Sequence, residues 1–158
     1  MKNNLFFLVL FVSIVTACTN NSSQNQNQSK HDDKVQVKDS IRDGVFIHIT
    51  HSSDDPHRAV MPLKMATMMA MDKDVAVYLD IKGIELVLKD SKDVTYPTFP
   101  SAHESLKVLI DKNIKVMACP GCMKAAGKTV DDLIPGVKIA EKEVFFNFTK
   151  GRILTLDY

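Results

Sequence analysis

IKVMACPGCMKAAG, residues 114–127, joins a β-branched and apolar run (Ile114, Val116, Met117) to a Cys-Pro-Gly-Cys bend and then to helix formers closed by Gly127. The run stops at Pro120-Gly121 and resumes as Met123-Lys124-Ala125-Ala126, the pattern of a strand feeding a helix through a tight turn. Cys119 then ends the strand, and Cys122 falls in the first turn of the helix. Free amide N–H groups and the positive dipole end of such a helix favour a thiolate over a thiol. If this chain does chemistry, it starts here.

Outward from this stretch, strands and helices alternate. Gly44–Thr50 (GVFIHIT) reads as a strand, and Asp55-Pro56 as an N-cap followed by a proline at the first helical position. The helix so opened runs over His57–Asp72 with Pro62 inside it, where a kink is expected. Asp74–Ile81 is a second strand, Gly83–Lys89 a short helix, and Asp90–Pro100 a loop holding Pro97 and Pro100. Ser101 and Glu104 form a capping box for a helix to about Lys112. Beyond the cysteines, Thr129–Ile134 is a helical turn or two, Val137–Ala140 a short strand, Val144–Thr149 helical, and Arg152–Asp157 a last strand. The central strands are continuous apolar runs, the mark of a parallel sheet covered on both faces. The expected fold class is therefore α/β: a three-layer α/β/α sandwich, flavodoxin- or Rossmann-like, on a mostly parallel sheet of about five strands. Chemistry in such sheets gathers at the carboxyl ends of the strands, which puts His51–Asp54, Asp80–Gly83 and Cys119–Cys122 on one rim.

The composition narrows the function classes. With 158 residues, 45% hydrophobic and 25% charged, the chain fits one globular domain. A formal net charge of +1 gives no basic patch for nucleic acid. Three cysteines are too few for a disulfide framework, and no second CxxC or CxxH offers a structural zinc site. No cofactor is expected.

The first residues read as a targeting segment. Lys2 precedes the apolar run Leu5–Val15, too short to span a bilayer permanently, and Val15-Thr16-Ala17-Cys18 resembles a bacterial lipobox. Residues 1–17 are then a lipoprotein signal peptide, and Cys18 the lipidated first residue of the mature chain. Residues 18–42, rich in Asn, Gln and Ser, cannot bury enough surface to order themselves and serve as a tether. Its root-mean-square reach is about 25–30 Å. The domain over 43–158 is thereby placed in the bacterial cell envelope, lipid-anchored and extracytoplasmic, with the membrane as one partner.

The order of elements, the strand-end cysteine, the turn after Asp80-Ile81-Lys82 and the spacing from Cys119 to Gly127 resemble the DsrE/DsrF-like family, in its exported lipoprotein variety. The resemblance covers about residues 44–158 and rests on the order of these features. It implies a compact parallel α/β/α sandwich, assembly as trimers or hexamers, and a persulfide carried on the strand-end cysteine, which by position is Cys119. A thiol or sulfur-carrier protein is the partner this implies. The export signal and Cys122 go beyond the sulfur-relay pattern.

Three readings of the cysteine pair stay open: small residues packing a strand–helix junction; a thiol site for sulfur or disulfide exchange, with Cys119 as nucleophile and Cys122 as resolving thiol; or a soft-metal pair for Cu(I) or zinc. Partners for the thiols are sought nearby. His51, in the first strand–helix loop, is a candidate acid/base or ligand partner. Asp80 lies at the second strand's end, where a turn alone also explains it. Lys124 follows the cysteines and is placed to lower a thiol pKa. His48, inside an apolar strand, reads as a hydrogen-bonded core histidine. Met61, Met65, Met68, Met69 and Met71 surround the first helix and do not converge on one face, which favours packing against a neighbouring subunit over copper.

Overall fold

The computed structural model describes residues 41–158. The expected signal peptide, Cys18 and most of the expected tether lie outside the described residues. No helix among the described residues is long and apolar enough to cross a membrane.

Among the described residues five strands form one sheet: β1 (Gly44–Ile49), β2 (Asp74–Leu79), β3 (Lys115–Ala118), β4 (Lys138–Ile139) and β5 (Ile153–Asp157). Their order is β4-β3-β2-β1-β5, and every neighbouring pair is parallel. All carboxyl ends therefore share one rim. The helices are α1 (Pro56–Met69), α2 (Ala102–Asp111), α3 (Pro120–Ala125) and α4 (Lys142–Phe146).

The period-two alternation of the strands sorts their side chains onto two faces. Val45, Ile47 and Ile49 of β1, Val75, Val77 and Leu79 of β2, and Val116 and Ala118 of β3 share the main core. α1 packs its buried Ala59, Val60, Leu63 and Ala66 there, and α2 its Leu106 and Leu109. Truncating a side chain buried as completely as Leu63 costs about 2–5 kcal/mol. The opposite face is thinner: Phe46, Ala76 and Met117 meet Val144 and Phe145 of α4 and the buried Phe148. The return from β4 at one edge to β5 at the other carries α4 across this face, giving the third layer of the α/β/α sandwich.

The caps fall where the sequence puts them. Asp55 caps α1 by accepting the Arg58 N–H at 3.2 Å. Ser101 and Glu104 close a reciprocal box on α2, with N–H to oxygen distances of 2.9 and 3.2 Å. Three elements differ from expectation. Gly83–Val87 and Val130–Asp132 are 3-10 turns. α4 begins at Lys142 and ends at Phe146, earlier than expected, because Phe148 leaves the helix to bury its ring on the thin sheet face. The α1 core face is small and aliphatic, while Met61 and Met65 are half-buried and Met68 is 54% exposed on the outer side.

Candidate functional site

β3 lies in register with β2, Leu79 opposite Ala118. Its ladder closes one residue on, where the Cys119 N–H donates to the Leu79 carbonyl at 2.9 Å. Pro120 cannot extend the ladder but suits the first position of a helix, so the chain turns at once into α3. Cys119 becomes the N-cap of α3, in extended conformation, its sulfur accepting the Cys122 N–H at 3.4 Å. Serine or aspartate usually fills this position because its oxygen accepts a free helix N–H, and a thiolate accepts better than a thiol. Burial pushes the Cys119 thiol up. The Tyr78 hydroxyl, the N–H groups of Cys122 and Gly121 and the Cys122 side chain outweigh burial, and together hold Cys119 below the ordinary thiol range.

Cys122 sits one turn on, half-buried, and is a free thiol like Cys119. Its sulfur accepts the Ile81 N–H at 3.2 Å. Ile81 reaches it with φ +49°, a left-handed conformation that a β-branched residue adopts only under strain. The bend is held by Gly83, whose N–H donates to the Thr50 carbonyl at 3.2 Å. There is no room for a β-carbon at Gly83, which would fall on the Ile49 carbonyl oxygen. Burial pushes the Cys122 thiol up, and the charges of Cys119 and Asp80 push it further, against the Ile81 N–H; its net direction is above the ordinary range. The two thiols are thus driven apart. Cys122 also lines an open, largely apolar groove of about 490 Å³ with Ile81, Lys82, Ile84 and Ala126.

A row of polar side chains crosses the thin sheet face beside Cys119. Tyr78 pairs with Met117 in register, one pleat below Cys119, and such a diagonal neighbour is within reach of an aromatic side chain. Burial and the nearby Cys119 push the Tyr78 phenol far above its usual range, so it stays a proton donor. The His48 ring lies 5.6 Å from the Tyr78 ring. His48 Nε2 approaches Asp80 Oδ1 at 2.9 Å, without the alignment of a hydrogen bond, and both atoms are shut off from solvent. Its Nδ1 meets Asp157 Oδ1 at 2.8 Å. Burial works against charge on His48, but the two carboxylates outweigh it and raise the imidazole above its ordinary range. Beyond His48 and Asp157 opens a groove of about 670 Å³, lined also by Thr50, His57, Arg58 and Met61.

The residues singled out from the sequence divide accordingly. Cys119, Cys122 and Asp80 come together. His51 instead pairs through Nδ1 with Asp54 at 2.9 Å and faces Arg58 at 3.4 Å through Nε2, and neither sulfur has it as a hydrogen-bond partner. The Ser52 N–H and His51 hold the Asp54 carboxyl down to about 2. Lys124 is exposed on α3, and the partners that lower the Cys119 thiol do not include it. Among the described residues no cluster of three or more His, Cys, Asp and Glu could hold a metal ion, so the soft-metal alternative has only Cys119 and Cys122 as ligands. Sequence reasoning missed Tyr78 and Asp157, and it put His48 in the core where it is half-buried at the rim. One signal was available: Tyr78 and Asp80 alternate on one strand face, two residues apart.

A model of the DsrE/DsrF-like family matches residues 43–151. A curated relative, the uncharacterised protein MK0008 of Methanopyrus kandleri, is 28% identical over 109 residues, which are 68% of this chain and 88% of the relative. The crystal structure of the ychN protein from E. coli superposes with a TM-score of 0.59 at 18% identity, covering 72% of this chain and 99% of that one. The protein of unknown function MTH1491 from Methanobacterium thermoautotrophicum gives a TM-score of 0.50 at 18% identity, covering 73% and 99%. These two structures share the fold. Since the family match spans well over half of the chain, this protein belongs to the DsrE/DsrF-like family.

Proposed function

We propose that this protein is an envelope-anchored member of its family whose Cys119 and Cys122 form a thiol site that handles persulfide sulfur. Family membership supports a link to sulfur relay. The observation that carries the reading is the placement of the two sulfurs: Cys119 caps α3 and accepts the Cys122 N–H at 3.4 Å, a contact that favours its thiolate, whereas burial and the neighbouring Cys119 push the Cys122 thiol up. The Cys119 thiolate attacks the outer sulfur of a persulfide donor; the donor's S–S bond breaks, its thiolate leaves, and Cys119 becomes the persulfide. An acceptor thiolate then takes that outer sulfur and Cys119 returns as thiolate. Alternatively, Cys122, once deprotonated, attacks the inner sulfur of the Cys119 persulfide, releasing hydrosulfide and leaving a Cys119–Cys122 disulfide. In that branch the sulfane sulfur is reduced and the two cysteines are oxidised.

In this reading Cys18 carries the lipid, the tether holds the domain clear of the headgroups, and Met61, Met65 and Met68 of α1 face another subunit in a trimer or larger assembly. The partner is a thiol or sulfur-carrier protein of the envelope.

The test is mass spectrometry of the purified protein after exposure to a small-molecule persulfide. The expected result is one added sulfur atom on Cys119 in the Cys122→Ser protein and none on Cys122 in the Cys119→Ser protein. Zinc or copper retained by the cysteines, with no added sulfur, would replace this reading with soft-metal binding. Anchoring is checked separately: Cys18→Ala should abolish acyl labelling, and a labelled variant would rule out Cys18 as the lipidated residue.

A further inference from the structure

Asp80 sits at the end of β2, with a carboxylate oxygen shut off from solvent, next to the strand end that bears Cys119. A half-buried carboxylate there opposes thiolate formation, since a like charge nearby disfavours a second one. Its influence on Cys122 and Tyr78 runs in that direction. Among the described residues the single cation within ion-pair distance of Asp80 is His48, at 2.9 Å. His48 is in turn held from the other side by Asp157, at 2.8 Å, on a strand that joins the sheet 109 residues later. Asp157 is largely exposed, so water screens its charge more than that of the half-buried Asp80, whose Oδ1 is shut off from solvent.

We propose that His48 is a positioning residue of the thiol site: its imidazolium, clamped between Asp80 and Asp157, cancels the Asp80 carboxylate and so permits a thiolate at Cys119. His48 touches neither sulfur and works through Asp80. The groups that face it are Asp80 and Tyr78 from β2 and Asp157 from β5, with His57 and Arg58 of α1 lining the adjoining groove. Arg58 lies 3.6 Å from Asp55, so its charge has a partner of its own. The imidazole is raised above its ordinary range by the two carboxylates, so the cancelling charge persists to higher pH than on a free histidine. Once pH rises through the His48 titration, Asp80 stands uncompensated and the thiols become harder to ionise.

This inference rests on Cys119 and Cys122 being the working thiols, yet its readout does not require persulfide chemistry. The experiment is the pH profile of iodoacetamide alkylation of the full chain, read at each cysteine by fragment mass spectrometry. His48→Gln should displace the Cys119 profile to higher pH and lower the neutral-pH rate about three- to tenfold. His48→Gln with Asp80→Asn, and His48→Lys, which keeps a cation, should each label Cys119 at neutral pH at least as fast as wild type. A merely structural histidine predicts no rescue by removing its partner. An unchanged profile in His48→Gln, or a double variant that stays displaced, overturns the proposal. Should the glutamine variant fail to fold, the double and lysine variants carry the test, and a neutral-pH rate at Cys119 about threefold or more below wild type in either overturns it. A persulfide failure with the His48 effect intact would strike the sulfur reading alone.

Discussion

The Ile81 N–H points at the Cys122 sulfur from 3.2 Å, across 41 residues of chain, and it does so only because Ile81 takes a left-handed backbone. A β-branched residue there costs about 1–2 kcal/mol relative to its relaxed conformation. The side chain recovers little of that, being 64% exposed. Strain of this kind persists where the surrounding structure fixes the bend.

Ile81→Gly should therefore stabilise the domain by about 0.5–1 kcal/mol, once the extra freedom of glycine in the unfolded chain is counted. The N–H on Cys122 would remain. Urea melts of the two proteins check this, and a lower midpoint for the glycine variant would show that Ile81 packs where the structure leaves it in solvent.

Gly83→Ala should act in the opposite sense. Its β-carbon would meet the Ile49 carbonyl, which is backbone at the end of the interior strand β1 and cannot move aside. A cost of about 1–3 kcal/mol is expected, as for overpacking elsewhere. The same shift should release the Ile81 N–H from Cys122, seen as loss of amide exchange protection at Ile81. An alanine variant as stable as the wild type would mean that the Asp80–Gly83 bend is not pinned against β1.

His48 gives the stability a pH dependence of known sign. Its folded-state pKa is raised above the unfolded value, so its contribution is fully present below the unfolded pKa and is lost as pH rises through the folded one. The stability difference between wild type and His48→Gln should shrink as pH rises from the ordinary histidine range through the raised folded-state value. Denaturant midpoints of both proteins across that range measure it. A difference that grows with pH would mean that His48 is buried as the neutral ring.

Much of the fold follows from local signals. Asp55-Pro56, the Ser101–Glu104 box and the Pro120-Gly121 stop each set an element boundary through chemistry confined to a few residues. The position of Cys119 belongs to the same class, because a strand end followed by proline is a local event. The neighbours of Cys119 are not local. His48 meets Asp157 only because β5 pairs with β1, a choice made by the return across the thin face. Nothing within either segment announces that pairing. His51 looked better placed than His48 because it lies in a loop at the rim. The pleat decides otherwise: His48 shares its face with Tyr78 and Phe46, whereas His51 is taken up by Asp54. The end of α4 was likewise set by burial of Phe148 on the sheet, which no helix signal within Val144–Thr149 encodes.

The central claim is that Cys119, and not Cys122, is the leading thiol, and competitive alkylation tests it most directly. Brief iodoacetamide treatment near neutral pH, read at each cysteine by fragment mass spectrometry, should modify Cys119 well ahead of Cys122, and Cys122→Ser should leave the fast labelling of Cys119 largely intact. Faster labelling of Cys122, or labelling of both no faster than a free cysteine peptide, would contradict the account.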